Sequence, residues 1–204
     1  MINKYQNSKS HTFIIAEMSA NHNGDIEVAK DIIKNAKETG ADAIKIQTYN
    51  ASSITLDCDS NDFKIAKNSP WAEADTLYNL YNKAKTPFDW HEELFDYSKE
   101  IDFTIFSSPF DSEGLSLLER INCPSYKIAS PEITDIPLIK QIARTGKPVI
   151  LSTGLAELHD IELAINVLNE NGCGEIAILK CTSEYPAPYD EVNLRTMQDY
   201  KSKF

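Results

Sequence analysis

Apolar and polar positions alternate in six short runs along this chain, and each run ends in polar residues before a helical pattern takes over. The runs occupy 13–20 (FIIAEMSA), 43–49 (AIKIQTY), 103–108 (FTIFSS), 125–130 (SYKIAS), 148–153 (PVILST) and 175–182 (EIAILKCT). Between them apolar residues recur at helical spacing. Ala29, Ile32, Ile33 and Ala36 follow Asp25 as N-cap, with Gly40 closing the helix. Leu77, Leu80, Tyr81 and Ala84 mark a short helix. Thr86, Pro87 and Asp89 then read as N-cap, N1 and N3 of the next, whose buried stripe is Phe88, His91, Leu94 and Phe95, with His91 near the core surface. Further helices are expected near 112–121, 136–144 and 158–171. No tight hairpin signal joins adjacent strands, so six βα-like units in a row predict a parallel α/β sheet, with reacting groups where strands end and loops begin.

Two segments fall outside the repeat. Residues 1–11 are polar and read as a loose lead-in or the bottom cap of a barrel. Residues 50–75 show no periodicity and are rich in Ser, Asp and Asn, which fits a lid or substrate loop at a strand end, with disorder as the alternative.

A length of 204 residues fits one domain with a real core. The formal charge of -11, with no clustered Lys/Arg stripe, argues against nucleic acid as a partner but leaves room for a small phosphorylated ligand held by local lysines and backbone N–H groups. Cys58, Cys123, Cys173 and Cys181 lack CxxC spacing, and neither a signal peptide nor a membrane-length apolar span is apparent. Reduced thiols, a cytoplasmic location and no membrane partner are the expectations that follow.

The chemistry-bearing positions cluster at strand ends. Glu17 lies in an apolar run, where a buried carboxylate needs a partner or a function. Lys45 and Gln47 share one face of the second strand, because side chains alternate, while Ile44 and Ile46 supply the apolar side. Lys127 repeats the pattern in the stretch SYKIASPE, and two lysines from two strands are expected to converge on a cavity suited to phosphate or carboxylate. Ser107, Ser108, Ser130, Ser152, Thr153, Thr182 and Ser183 add a set of hydroxyl donors. Glu132, Glu184 and Tyr185 lie just past strand ends, within reach of a polar substrate's hydroxyls, although a solvated loop position is the plainer reading of Glu184. His22 is a catalytic or binding candidate; His11 and His159 are expected to be exposed. HExxH, P-loop and GxGxxG patterns and a placeable Ser-His-Asp set are all missing, so zinc-protease and nucleotide-binding readings lack support.

In order, NHNG after IAEMSA, KIQTY, SSPF, YKIASPE, GKPVILSTG and LKCTSEYPAP resemble the sialic acid synthase family over most of the chain. The stretch LYNLYNKAKTPFDWHEELF is most similar to the pseudaminic acid synthases of that family. The resemblance implies a (β/α)8 TIM-type barrel, a C-terminal antifreeze-like domain, a homodimer of the full-length protein and a divalent metal, Mn or Mg. It implies condensation of phosphoenolpyruvate with an open-chain N-acetylated amino sugar to a nine-carbon keto sugar acid, with release of phosphate. By position, Lys45, Ser108, Lys127, Ser130, Ser152 and Ser183 match phosphoenolpyruvate-binding positions. Glu17 and Gln47 match active-site residues of the first two strands, and Glu132 and Tyr185 match positions near the sugar. Glu17, Lys45 and Lys127 are the catalytic candidates. N-acetylneuraminate or legionaminate synthase is the alternative within the family. A barrel making seven- or eight-carbon keto acids fits the motifs less well.

The sequence departs from the family pattern in lacking the GLSDHT-like strand, a second histidine-bearing strand whose histidine completes the metal site, and the antifreeze-like domain. Residues 1–204 are therefore expected to be the N-terminal part of the barrel, about six of eight units, with no metal ligand and with open edges at the first and sixth strands. Made alone, such a chain is expected to aggregate and to be catalytically inactive; a non-catalytic remnant that binds an anion or a partner chain is the competing reading.

Overall fold

The computed structural model describes residues 11–184 and 186–204. The chain divides into two compact units, Phe13–Cys123 and Pro124 onward. Each is a three-stranded parallel βα arrangement, as the alternating pattern predicts.

In the first unit β1 (Ile15–Glu17) leads to helix α1 (Ile26–Glu38) and then to β2 (Ala43–Thr48). The Asp25 side chain accepts from the Glu27 N–H at 2.8 Å, which satisfies one free donor of the first turn. Ala29 and Ile33, one turn apart, bury the inner face of α1. Gly40 adopts a φ of +93° just past the helix, where a side chain would be strained. β2 is buried almost throughout, as befits a strand covered on both faces.

Residues 50–75 hold helix α2 (Ala51–Ile54), two 3-10 turns at Asn61–Phe63 and Ala72–Ala74, and one antiparallel bridge between Lys64 and Thr76. Helices α3 (Leu77–Ala84) and α4 (Trp90–Glu100) precede β3 (Thr104–Pro109) and α5 (Ser112–Arg120). The parallel register pairs Glu17 with Lys45, Lys45 with Phe106, and Gln47 with Ser108.

One expectation fails around α4. Thr86 does not cap it: Trp90 N–H bonds the Pro87 carbonyl, the cap position is Asp89, and the buried Thr86 hydroxyl has no partner. The chain enters through a turn at Pro87, which delays the helix past reach of Thr86. His91 is fully buried, as its place in the apolar stripe predicts.

The second unit runs β4 (Tyr126–Ile128), α6 (Ile136–Ala143), β5 (Val149–Ser152), α7 (Leu158–Glu170), β6 (Ile176–Leu179) and α8 (Thr196–Lys203). Asp135 caps α6 by accepting from the Leu138 N–H at 3.0 Å. Ile139, Ile142, Val149, Leu151 and Leu168 are fully buried and form its core. Among the described residues no helix is long and apolar enough to cross a membrane.

Candidate functional site

In the first unit the register puts Glu17, Lys45, Gln47 and Ser108 on one face of the sheet, because residues two apart along a strand and residues paired across strands point the same way. Glu17 forms an ion pair with Lys45, and its other oxygen accepts from the Ser19 N–H at 3.1 Å. The sequence reading made Glu17 a buried carboxylate; it is instead 42% exposed in its side chain, while Lys45 is 8% exposed. The cause lies in the backbone. β1 ends at Glu17, Met18 N–H bonds the Lys45 carbonyl, and Ser19 turns the chain away with a φ of 49°. Ser108 is buried with a hydroxyl that has no hydrogen-bond partner, and Gln47 is half-buried. An unpartnered buried hydroxyl costs stability, which makes Ser108 a candidate donor.

In the second unit the hydroxyls gather around Gly154. Its N–H donates to Ser130 Oγ at 3.0 Å. A methyl group built on Gly154 would lie 3.0 Å from Ser130 Oγ and would collide with Ser183 Oγ. Ser152 is buried, and its Oγ receives the Cys181 thiol at 3.4 Å. Ser130 and Ser183 therefore border one glycine with no side chain of its own, and Ser152 is linked to them through Cys181. Neither Gly154 nor Cys181 was among the sequence candidates; a glycine directly after the strand-end Ser152-Thr153 pair was the signal available.

Lys127 occupies the same face as Ser152, since Lys127 pairs with Ile150 in the register. It pulls down the pKa of Glu132, against the larger effect of burial, which pushes that carboxyl above its ordinary value. Glu132 Oε2 is buried without a hydrogen-bond partner. Ser183 and Glu184 are exposed, and Tyr185 lies outside the described residues.

His22 is buried, with Nδ1 accepting from the Gly24 N–H at 3.1 Å and its ring edge-on to Trp90 at 5.4 Å. Burial lowers its pKa. These contacts hold the NHNG turn, which is a structural task for the side chain. His11 and His159 are exposed, as expected.

Among the described residues no group of three or more His, Cys, Asp or Glu comes together to hold a metal ion. The described residues offer no such set for the divalent metal that the resemblance implies.

Parallel βα units with polar side chains gathered at the strand ends define an α/β protein of the incomplete barrel type. The family model described as NeuB family matches residues 32–204, and the chain belongs to that family. It is 47% identical over 184 residues to a pseudaminic acid synthase of Helicobacter pylori, covering 90% of this chain and 54% of that protein. It is 40% identical over 200 residues to an N,N'-diacetyllegionaminic acid synthase of Campylobacter jejuni, covering 95% of this chain and 58% of the relative. The crystal structure of N-acetylneuraminic acid synthetase from Leptospira borgpetersenii superposes with a TM-score of 0.82 at 32% identity, covering 95% of this chain and 62% of that one. The chain spans about half the length of the curated relatives it matches.

Proposed function

We propose that this chain carries the phosphoenolpyruvate-handling part of a synthase that joins phosphoenolpyruvate to an open-chain N-acetylated amino sugar. The product is a nine-carbon keto sugar acid, pseudaminic acid before its legionaminate or neuraminate counterparts, and phosphate is released. The observation that carries this reading is the pair of Ser130 and Ser183 hydroxyls bordering the side-chain-free Gly154, with buried Ser152 linked to them through Cys181, a donor set that suits phosphate oxygens.

In this reading Ser130, Ser152, Ser183 and Lys127 bind the anionic groups of phosphoenolpyruvate. Lys45 and Ser108 supply a further cation and a ready donor, and Glu17 positions the water that adds at C2 or takes its proton. Gln47, Glu132 and Tyr185 face sugar hydroxyls. The reaction balances as follows: C3 of phosphoenolpyruvate bonds to the aldehyde carbon, whose oxygen gains a proton. Water adds to C2, and the C2–O bond to phosphate breaks to leave the keto acid.

Isothermal titration of the chain with phosphoenolpyruvate tests the binding half. Saturable binding that Ser152→Ala and Lys127→Met each weaken supports the reading. The absence of binding, or binding indifferent to both substitutions, removes it. Phosphate release from phosphoenolpyruvate by the full-length protein, with 2,4-diacetamido as against 2-acetamido hexoses, decides the sugar.

A further inference from the structure

His91 lies on α4, wholly buried, and the proposed chemistry does not touch it. Its Nδ1 is 3.0 Å from the Pro87 carbonyl and its Nε2 is 2.8 Å from Thr48 Oγ1. A carbonyl only accepts, so Nδ1 carries the proton. Burial holds the imidazole at about 4, so the ring is neutral near pH 7 and Nε2 is an acceptor. Thr48 must therefore donate to it, which uses the one proton of that hydroxyl.

Thr48 Oγ1 also lies 2.6 Å from Ser107 Oγ, whose other neighbour is the Ile46 carbonyl at 3.0 Å. Ser107 donates to the Ile46 carbonyl, and with the Thr48 proton committed to His91 its one proton is shared between that carbonyl and Thr48 Oγ1. One neutral ring thus sets the direction of a buried hydroxyl chain that ties α4 to the ends of β2 and β3. Thr48, Ser107 and His91 are each at most 1% exposed, so water does not compete for these bonds.

The residues next to this clamp are Gln47 and Ser108, paired with each other in the register. Because side chains alternate, Thr48 and Ser107 point to one face while Gln47 and Ser108 point to the other. Fixing the first pair fixes the backbone from which the second projects. We propose that His91 is a positioning residue which, through Thr48 and Ser107, holds the β2 and β3 ends so that Gln47 and Ser108 are presented to the ligand at fixed places. The identity of that ligand as phosphoenolpyruvate with its sugar acceptor rests on the proposed function; the clamp itself does not.

The test combines amide exchange with ligand titration on the intact chain. Phe110 N–H donates to the Thr48 carbonyl at 3.3 Å and reports on the β2 end. In His91→Leu and Thr48→Val, exchange at Phe110 is expected to quicken and phosphoenolpyruvate affinity to drop, each by about tenfold, the loss of one buried hydrogen bond. Thr48→Ser keeps the hydroxyl, and His91→Gln places an amide near the Nε2 position, so both are expected to stay near the wild type.

Nitrogen shifts of the wild-type ring should show a neutral imidazole protonated at Nδ1; an Nε2-protonated ring overturns the donor assignment and the clamp with it. Wild-type exchange and affinity in a folded His91→Leu chain also overturn the proposal. If both His91 variants fail to fold, the threonine pair decides: Thr48→Ser behaving like Thr48→Val means that shape alone matters and sinks the clamp. If the wild type binds no phosphoenolpyruvate, the functional reading falls while the exchange and ring-nitrogen results still decide this one.

Discussion

Glu17 and Lys45 stand opposite each other in the β1–β2 register and form an ion pair that meets solvent from one end only. The lysine end is 8% exposed and the glutamate end 42%. The ammonium therefore depends on this carboxylate more than the carboxylate depends on it. Replacing Glu17 by Gln leaves a nearly buried cation without its counter-charge and is expected to cost about 1–2 kcal/mol, below the range for a fully buried pair because Glu17 is partly hydrated. Urea unfolding measures it. Adding Lys45→Met should recover part of the loss, since an apolar side chain needs no counter-charge there. A double variant no more stable than Glu17→Gln would show that the pair is not the cause.

Gly154 makes a steric prediction. Its missing side chain leaves room that Ser183 Oγ and Ser130 Oγ border. Gly154→Ala should weaken phosphoenolpyruvate binding by about tenfold while costing less than about 1.5 kcal/mol of stability, since exposed Ser183 can swing aside. Gly154→Ala combined with Ser183→Ala separates crowding from lost hydrogen bonding. Recovered stability without recovered affinity is the expected outcome, read from thermal melts and titration side by side.

His91 also predicts a pH dependence. Between the ordinary imidazole value of 6.5 and about 4, the unfolded chain takes a proton at this position and the folded chain does not. The unfolded state binds more protons across that window, so stability falls as pH drops from 6.5 towards 4, by about 3 kcal/mol in all. Above 6.5 the contribution is flat. His91→Gln cannot titrate, so the difference in unfolding free energy between it and the wild type should change across that window and level off above it. A difference that stays constant with pH contradicts the depressed pKa.

Glu132 carries the opposite sign. Burial raises its carboxyl pKa from 4.5, with Lys127 opposing in part, so the folded chain holds the proton longer than the unfolded one. Stability from this group is greatest below 4.5 and is lost as pH rises through the raised folded value. Glu132→Gln, which has no charge to desolvate, should stabilise the protein at neutral pH by about 1 kcal/mol. A destabilised variant at neutral pH would mean that the carboxylate has a partner that outweighs its burial.

Periodicity alone fixed much of this protein. Ile44 and Ile46 against Lys45 and Gln47 follow from alternation along a strand. Ala29 and Ile33 follow from the helical repeat, and the cap at Asp25 from local hydrogen bonding. Each depends on residues within a turn or two, which the chain order displays directly. Tertiary structure decided the rest. Glu17 is exposed because the turn at Ser19 leads the chain away, and the buried His91 ring is satisfied because Thr48, 43 positions earlier, supplies its partner. The cluster at Gly154 needs Ser130 and Ser183, 24 residues before and 29 after it, to arrive at the same place. A hydrogen bond or a steric gap depends on distance in space, and chain order reports that distance only where the backbone is locally regular.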